Sequence, residues 1–380
     1  MKELFKGILH FTPGNLVMFA IAGILIYLAI KKEYEPTLLL PIGFGAILAN
    51  IPFSSALEQL GQDGVEDGVL TILYNSGIIT ELFPVLIFVA VGAMIDFGPL
   101  LRNPFMLFFG AAAQFGIFAT MIGAILLGFD LKEAASIGII GAADGPTSIV
   151  VANQFLKENK GLVAAITVAA YSYMSLVPII QPPVVKLLTT KKERLIRMEY
   201  KEVNVPQVVK ILFPIVITII AGLVAPVSVS LVGLLMFGNL IREAGVLERL
   251  SKSAQNELAN LVTLLLGITI GSTMVAEKFL RPETLMIMAM GLVAFIFDTA
   301  GGVLFAKFLN LFLKNKVNPM IGAAGISAFP MSSRVIQQMA KKEDPSNFII
   351  MQAVSANVAG QLGSIVAGGI LLALVPALLG

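Results

Sequence analysis

One carboxylate lies in a glycine- and proline-rich break inside a long apolar segment, at Gly141-Ala-Ala-Asp144-Gly-Pro-Thr147. A charged side chain at membrane depth costs about 2.5–3.5 kcal/mol on insertion scales, and such residues mark ion or proton paths. A broken helix also frees backbone carbonyl oxygens, which are ligands for hard cations. Asp144 is therefore a candidate ligand of a translocated ion, and capping of a helix end is its alternative role.

A second break offers neutral oxygens from Asn318 and Ser327 and is followed by Arg334. One carboxylate among several neutral oxygens suits Na⁺, whereas a Ca²⁺ site usually recruits more carboxylates. Arg334 either extends to the membrane surface or binds an anionic substrate. Asn357, in the apolar run Ala353–Gly363, is either a further ligand or a partner in an interhelical hydrogen bond.

Two tyrosines and a second acid also lie within apolar segments. Tyr171 and Tyr173 stand beside serines and ahead of Gln181-Pro-Pro183, which favours a polar inner face over a position in an interfacial belt. Asp298 is either a proton site or the partner of a basic residue, and the sequence leaves both interpretations open.

The composition is that of a polytopic membrane protein. Of 380 residues, 57% are hydrophobic and 13% are charged, about half the charged fraction of a soluble domain. The apolar runs are long and lack strand-like alternation, so we predict an all-α fold rather than a β-barrel. The net charge of +2 gives no sign of nucleic-acid binding. The absence of cysteine excludes disulfides, thiolate metal sites and cysteine nucleophiles.

The two halves of the chain resemble each other. Three motifs recur in order, offset by about 180 residues: Val91-Gly92-Ala-Met94 as Ile270-Gly271-Ser-Thr-Met274, Gly141-Ala-Ala-Asp144 as Gly322-Ala-Ala-Gly325, and more loosely Ala170–Tyr173 as Val354–Asn357. We therefore expect two transmembrane repeats, at residues 1–187 and 207–380. A basic linker at residues 188–206 would join them.

The distribution of charge predicts that the second repeat is inverted. The linker contains Lys191, Lys192, Arg194, Arg197 and Lys201, and the positive-inside rule places it in the cytoplasm. The acidic loop contains Glu58, Asp63, Glu66 and Asp67 without a basic residue, so we place it outside. If the broken segment at residues 134–155 is re-entrant, each half crosses an odd number of times, giving about ten crossings. The paired breaks would then meet near the bilayer midplane.

Three ordered motifs resemble those of the β subunits of sodium-pumping, biotin-dependent decarboxylases. They are Gly141-Ala-Ala-Asp144-Gly-Pro-Thr-Ser, Ala169-Ala-Tyr171-Ser-Tyr173-Met-Ser-Leu-Val-Pro-Ile-Ile-Gln-Pro-Pro183, and the segment from Asn318-Pro through Gly322 and Ser327 to Arg334. The likeness covers essentially the whole chain. Members of this family serve oxaloacetate, methylmalonyl-CoA and glutaconyl-CoA decarboxylases.

The resemblance implies a membrane subunit that decarboxylates carboxybiotin and couples this to Na⁺ export with proton uptake. By motif position, Asp144, Asn318 and Asn357 would bind Na⁺, and Gly322 would permit close packing. Arg334 would bind carboxybiotin and act in its decarboxylation, while Ser327 and Tyr173 would act in the decarboxylation or complete the Na⁺ site.

The resemblance also implies partners and a working cycle. Biotin would arrive on a carrier subunit, alongside a soluble carboxyltransferase α subunit and a small membrane γ or δ subunit. The chain would form a homo-oligomer in the bacterial inner (cytoplasmic) membrane, with an elevator-like core moving against a scaffold. Its compact length favours methylmalonyl-CoA or glutaconyl-CoA over oxaloacetate as the parent substrate.

Two other classes of function fit parts of this pattern. A secondary transporter, either a Na⁺-coupled carboxylate symporter or a Na⁺/H⁺ antiporter, would also use inverted repeats and an intramembrane acid. A structural membrane subunit without transport activity would need neither. No phosphate-binding, serine-hydrolase or zinc-protease motif occurs in a context that would support it.

Overall fold

The computed structural model describes residues 5–61, 64–157, 159–198, 204–224 and 226–379. Within these ranges the regular secondary structure is helical except for one short antiparallel hairpin, formed by β1 (Gln59–Gly61) and β2 (Gly64–Glu66). The predicted all-α class is confirmed apart from this hairpin, which lies in the predicted acidic loop. Asp63 of that loop and Lys201 of the linker lie outside the described residues.

The first half contains twelve helices within the described ranges, several of them short. They are α1 (Lys6–Leu9), α2 (Pro13–Lys32), α3 (Pro36–Ala49), α4 (Val69–Leu73), α5 (Leu82–Met94), α6 (Gly98–Arg102), α7 (Leu107–Ala113), α8 (Phe115–Leu126), α9 (Leu131–Gly138), α10 (Gly145–Phe155), α11 (Lys160–Ser175) and α12 (Val177–Leu188). Short 3₁₀ and π turns extend some of these helices.

The linker and second half contain ten more helices among the described residues. They are α13 (Lys191–Arg194), α14 (Gln207–Val224), α15 (Val229–Glu243), α16 (Glu248–Ser253), α17 (Ala259–Ser272), α18 (Ala276–Phe279), α19 (Pro282–Leu309), α20 (Met320–Ala323), α21 (Met331–Glu343) and α22 (Ile350–Leu379).

Four continuous helical spans in the described chain are long and apolar enough to cross a membrane. They are Pro13–Lys32, Pro104–Leu126, Pro282–Leu309 and Ile350–Leu379. Two bent pairs raise the number to six if each is one span: Val69–Ile79 with Leu82–Met94, bent by 61°, and Gly161–Ser175 with Val177–Leu188, bent by 69°. The figure of about ten crossings and the inverted repeat remain predictions.

The helix breaks lie where the sequence predicted them. After α9, a 3₁₀ turn at Ile139–Ala142 leads to Ala143, whose φ of +53° ends the helix before α10 begins. In the second half, α20 ends at Ala323, and irregular backbone continues as far as Pro330, which precedes α21. These breaks expose backbone groups inside the protein, where other segments contact them.

Two helix crossings join the halves through the predicted repeat motifs. In α17, Gly271 packs against the backbone of Ile42 in α3, and Asn50 donates to the Met274 carbonyl over 2.7 Å. Similarly, in α5, Gly92 packs against the backbone of α15, and Asn239 of α15 donates to the Ile95 carbonyl over 2.9 Å. Matching motifs therefore make matching contacts, and the repeat itself remains a prediction.

The described part of the linker is fastened to the second half. Arg194 forms an ion pair with Glu343 at 2.7 Å, and Arg197 forms one with Asp344 at 2.6 Å, both at the end of α21. The neighbouring Ser346 hydroxyl and the Arg197 guanidinium lower the pKa of Asp344 to about 2. The described part of the linker thus packs against the second half. The proposed domain limits remain a prediction.

Candidate functional site

Asp144 ends the first break and begins α10. Its Oδ1 atom accepts a hydrogen bond from the Thr147 backbone N–H over 3.3 Å, so the side chain does cap this helix. Only 3% of the residue is exposed. The cap engages Oδ1, which leaves Oδ2 for other groups.

The second oxygen of Asp144 accepts three hydrogen bonds from polar side chains. Thr147 Oγ1 donates over 2.7 Å, Ser364 Oγ over 2.8 Å and Gln361 Nε2 over 3.1 Å. A buried carboxylate needs such partners to keep its charge, so this cluster can stabilise a negative charge on Asp144.

Sequence reasoning missed Gln361 and Ser364 as contacts of Asp144. Both lie on α22, four and seven residues after Asn357. Side chains at i, i+4 and i+7 share one face of a helix. A polar stripe on an otherwise apolar helix was therefore the signal that these positions face the same site.

The two breaks are hydrogen-bonded to each other. The Ser327 backbone N–H donates to the Ala142 carbonyl over 3.0 Å, and the Ser327 hydroxyl donates to the Gly360 carbonyl of α22 over 2.9 Å. Gly360 approaches the Gly325 carbonyl so closely that a Cβ there would overlap it. Ser327 thus lies where the first break, the second break and α22 meet.

Asn357 faces the second break from α22. Its Nδ2 atom donates to the Ile326 carbonyl over 2.7 Å. Its Oδ1 atom is buried and has no hydrogen-bond partner among the described residues. A buried amide oxygen without a donor is costly, so this atom is available to a ligand.

A cavity of about 190 Å³ borders the meeting point of the breaks. Asp144, Ser327 and Gln361 form one part of its wall, and residues of α3, α5, α11 and α17 form much of the remainder. At its outer part lie Glu35, which is partly exposed, and Thr37, which is exposed. The cavity therefore connects a buried carboxylate with a polar rim.

The two tyrosines face different surroundings. Tyr171 lines the Asp144 cavity, and its ring packs against Gly145. Its hydroxyl oxygen has no hydrogen-bond partner in the described part of the chain. Tyr173 instead donates to the Met288 carbonyl of α19 over 2.5 Å. The structure thus brings Tyr171 to the cavity wall, although Tyr173 was the tyrosine assigned by motif position.

Arg334 is exposed one turn into α21, shortly after the cavity-lining residue Phe329. Its charge reaches the rim acid Glu35. Burial raises the pKa of Glu35, and the Arg334 charge partly opposes that rise. The positive charge of Arg334 thus lies near the outer part of the cavity.

Asn318 binds the linker. Its Nδ2 atom donates to the carbonyls of Arg194 and Ile196, both over 2.9 Å, and its Oδ1 accepts from the Met320 N–H over 3.1 Å. These contacts do not include the polar groups around Asp144. Asn318 is thus a link between linker and second break here, and its role as a Na⁺ ligand remains a prediction.

Asp298 lies apart from these groups, on α19. It is fully buried and faces the backbone of Gly116 and Ile117 at the start of α8. Among the described residues, these backbone groups interact with its carboxyl group, and no basic side chain does so. The structure therefore offers no support for a basic partner, and a proton site stays open as its interpretation.

The sequence matches a known family over nearly its whole length. A family model described as the Na⁺-transporting oxaloacetate decarboxylase beta subunit matches residues 14–375. The chain belongs to this family. It is an integral membrane protein of a family of Na⁺-transporting decarboxylase subunits. Membership of this family favours decarboxylation coupled to Na⁺ transport over the alternative of a secondary transporter.

Individual relatives of the decarboxylase β-subunit family are similar over nearly their full length. The methylmalonyl-CoA decarboxylase subunit beta of Veillonella parvula is 53% identical over 369 residues, covering 97% of this chain and 95% of the relative. The glutaconyl-CoA decarboxylase subunit beta of Acidaminococcus fermentans is 52% identical over 370 residues, covering 97% and 96%. A probable oxaloacetate decarboxylase beta chain of Pasteurella multocida is 46% identical over 427 residues, covering 98% of each.

Proposed function

We propose that this chain decarboxylates carboxybiotin presented by a biotin carrier subunit, and that it couples the reaction to Na⁺ export with uptake of a proton. The observation that carries the proposal is the buried Asp144 carboxylate at the meeting point of two broken helices, beside a cavity. A charge held there by neutral hydrogen-bonding side chains has no evident structural purpose beyond the cap.

The Na⁺ site would be built on Asp144. Ser327 and Asn357 supply oxygens beside the second break, and the free Oδ1 of Asn357 adds a neutral ligand. Thr147 and Ser364 can turn their hydroxyl lone pairs toward a cation bound at Oδ2, since hydroxyl groups both donate and accept. Asn318 and Tyr173 remain candidate ligands from motif position, although the structure ties both side chains to other backbone groups.

The carboxylate of carboxybiotin would meet Arg334. A guanidinium binds a carboxylate with paired hydrogen bonds. Removal of the carboxylate from water then favours loss of CO₂. The N–C bond breaks, its electron pair returns to the ring nitrogen, and that nitrogen takes up a proton. Tyr173 and Ser327 are the candidates for supplying it.

Coupling would follow from competition at Asp144. A ligand shifts a conformational equilibrium only if it binds the two states differently. Na⁺ requires the charged carboxylate, and a proton removes that charge. Proton arrival therefore releases Na⁺, which gives the proposed exchange of Na⁺ for H⁺.

The similarity pattern favours an acyl-CoA as the parent substrate. The methylmalonyl-CoA and glutaconyl-CoA subunits align over 369 and 370 residues, whereas alignment with the oxaloacetate subunit extends over 427. We propose methylmalonyl-CoA or glutaconyl-CoA, handled with a soluble carboxyltransferase α subunit and a small membrane γ or δ subunit. Inverted repeats, an elevator-like core, a homo-oligomer and an inner-membrane location complete the proposal.

Incubation of the purified chain with carboxybiotin tests the reaction directly. We expect release of CO₂ that is stimulated by Na⁺. In proteoliposomes of the assembled complex, the acyl-CoA substrate should drive radioactive sodium across the membrane, and avidin should stop it by trapping biotin. Failure of Na⁺ to stimulate the loss of the carboxyl group would overturn the proposal. Sodium movement driven by gradients alone, unaffected by avidin, would instead indicate a secondary transporter.

A further inference from the structure

Glu35 is a second acid on the Asp144 cavity, and no step above uses it. It precedes α3 with a φ of +38°, in the left-handed region. A residue with a Cβ pays about 1–2 kcal/mol for that conformation, and such strain often accompanies a functional position. The carboxylate is thus held at the cavity rim against the local backbone preference.

Two threonine hydroxyls line the same cavity as Glu35. Thr37 lies in α3, two residues after Glu35, and Thr263 of α17 lines the cavity wall with both residues. Gly267, one turn after Thr263, packs near the Leu38 carbonyl, so Thr263 faces the start of α3. One carboxylate with neutral oxygens is the donor set that suits a monovalent cation.

The positive charge of Arg334 competes with a cation for the Glu35 carboxylate. Its guanidinium acts on the Glu35 carboxylate, and a cation bound at Glu35 would be repelled by it. An anion that binds Arg334 would neutralise this repulsion and leave the Glu35 carboxylate open to a cation.

We propose that Glu35, Thr37 and Thr263 form an outer binding station for Na⁺ at the rim of the Asp144 cavity, and that Arg334 blocks this station until it binds the carboxylate of the substrate. The inference rests on the proposed function, since it assigns the anion to carboxybiotin. It makes Na⁺ admission to the cavity conditional on substrate.

The first test replaces Glu35 in the intact complex and measures decarboxylation against Na⁺ concentration. In Glu35→Gln we expect the half-saturating Na⁺ concentration to rise about tenfold, the cost of about 1.4 kcal/mol. The matched control is Glu33→Gln, which removes a neighbouring exposed acid that also has a positive φ, +55°. That variant should behave as wild type.

The second test measures radioactive sodium binding to the purified chain without substrate. Arg334→Gln should bind Na⁺ more tightly than wild type, and adding Glu35→Gln should cancel the gain. Unchanged Na⁺ dependence in Glu35→Gln, while wild type remains Na⁺-stimulated, would refute the outer station and leave the proposed function standing. Loss of Na⁺ stimulation in wild type itself would refute the proposed function.

Discussion

The Ser327 backbone N–H donates to the Ala142 carbonyl over 3.0 Å, so the second helix break is hydrogen-bonded directly to the first. Asp144 lies two residues beyond that carbonyl, and the Ser327 hydroxyl continues to α22. A displacement of either break must therefore change the surroundings of the Asp144 carboxylate.

Asp144→Asn should lower the rates of Na⁺-stimulated decarboxylation and sodium transport by about 100-fold or more, because removal of a buried charge from a cation site costs several kcal/mol. Asparagine caps helices as well as aspartate does, so α10 should still form. The measurement is Na⁺-dependent CO₂ release by the complex. Asp130→Asn is the control, because Asp130 caps α9 at an exposed position. Retained sodium transport in Asp144→Asn would indicate a structural subunit.

Ser364→Ala should raise the half-saturating Na⁺ concentration about tenfold, since a hydrogen bond to a charged group contributes about 1.5–3 kcal/mol. Ser355→Ala is the matched control on the same helix, where the hydroxyl donates to the Met351 carbonyl over 2.9 Å. Titration of decarboxylation with Na⁺ distinguishes the two variants. Equal Na⁺ dependence in both would remove Ser364 from the site.

Gly322→Ala should destabilise the folded chain by about 1–3 kcal/mol, because its new methyl group would overlap the Gly302 carbonyl of α19. Gly123→Ala, in α8, has open space around the added atom and should be neutral or stabilising. Thermal unfolding in detergent measures both. A Gly322→Ala variant as stable as wild type would show that the α19–α20 contact is loose.

Asn318→Ala should loosen the linker. Two hydrogen bonds to the Arg194 and Ile196 carbonyls are lost, each with a net contribution of about 1 kcal/mol, so trypsin should cut after Arg194 about 10-fold faster or more. Asn310→Ala, which removes contacts with Val317, is the control. If Asn318 also binds Na⁺, the Na⁺ dependence of the reaction will shift as well. Faster cleavage with unchanged Na⁺ dependence would leave it a structural role alone.

The linker contact at Asp344 should withstand mild acid. Hydrogen bonding by Ser346 and Arg197 lowers the pKa of Asp344 to about 2, below its usual value near 3.9. A depressed pKa gives stability that is present above the ordinary value and lost as the pH falls toward 2. Hydrogen exchange of the Ser346 amide, which donates to Asp344 Oδ1 over 3.0 Å, should show a constant protection factor from about pH 7 to about pH 3, where a carboxyl of ordinary pKa would already have lost most of its charge. Protection that falls within this range would contradict the assignment.

The sequence predicted the break at Asp144 because glycine and proline beside a capping acid have strong local preferences. It did not distinguish Tyr171 from Tyr173. Residues two apart on a helix point to nearly opposite faces, and the neighbouring helices decide which face meets the cavity. Asn318 shows a different limit, since its partners lie about 120 residues away in sequence and no local pattern signals them.

Glu35 was absent from the sequence-based predictions for a related reason. Its neighbour Glu33 is exposed just after α2, and acids that flank membrane segments are usually solvated. Its place on the cavity depends on the crossing of α3 with α17, which brings Thr263 to the same wall. Such a position becomes visible when residues distant in sequence are brought together.

The exchange of helices between the halves has a consequence for biosynthesis. The glycine contacts of α3 are made with α17, and those of α5 with α15. During translation, α3 lacks its partner helix α17 until more than two hundred further residues have been synthesised. The first half of the chain would therefore form an intermediate in which the faces of α3 and α5 that pack on the second half have no partner. Two separately expressed fragments, divided at the linker, should be degraded alone and rescue each other when produced together.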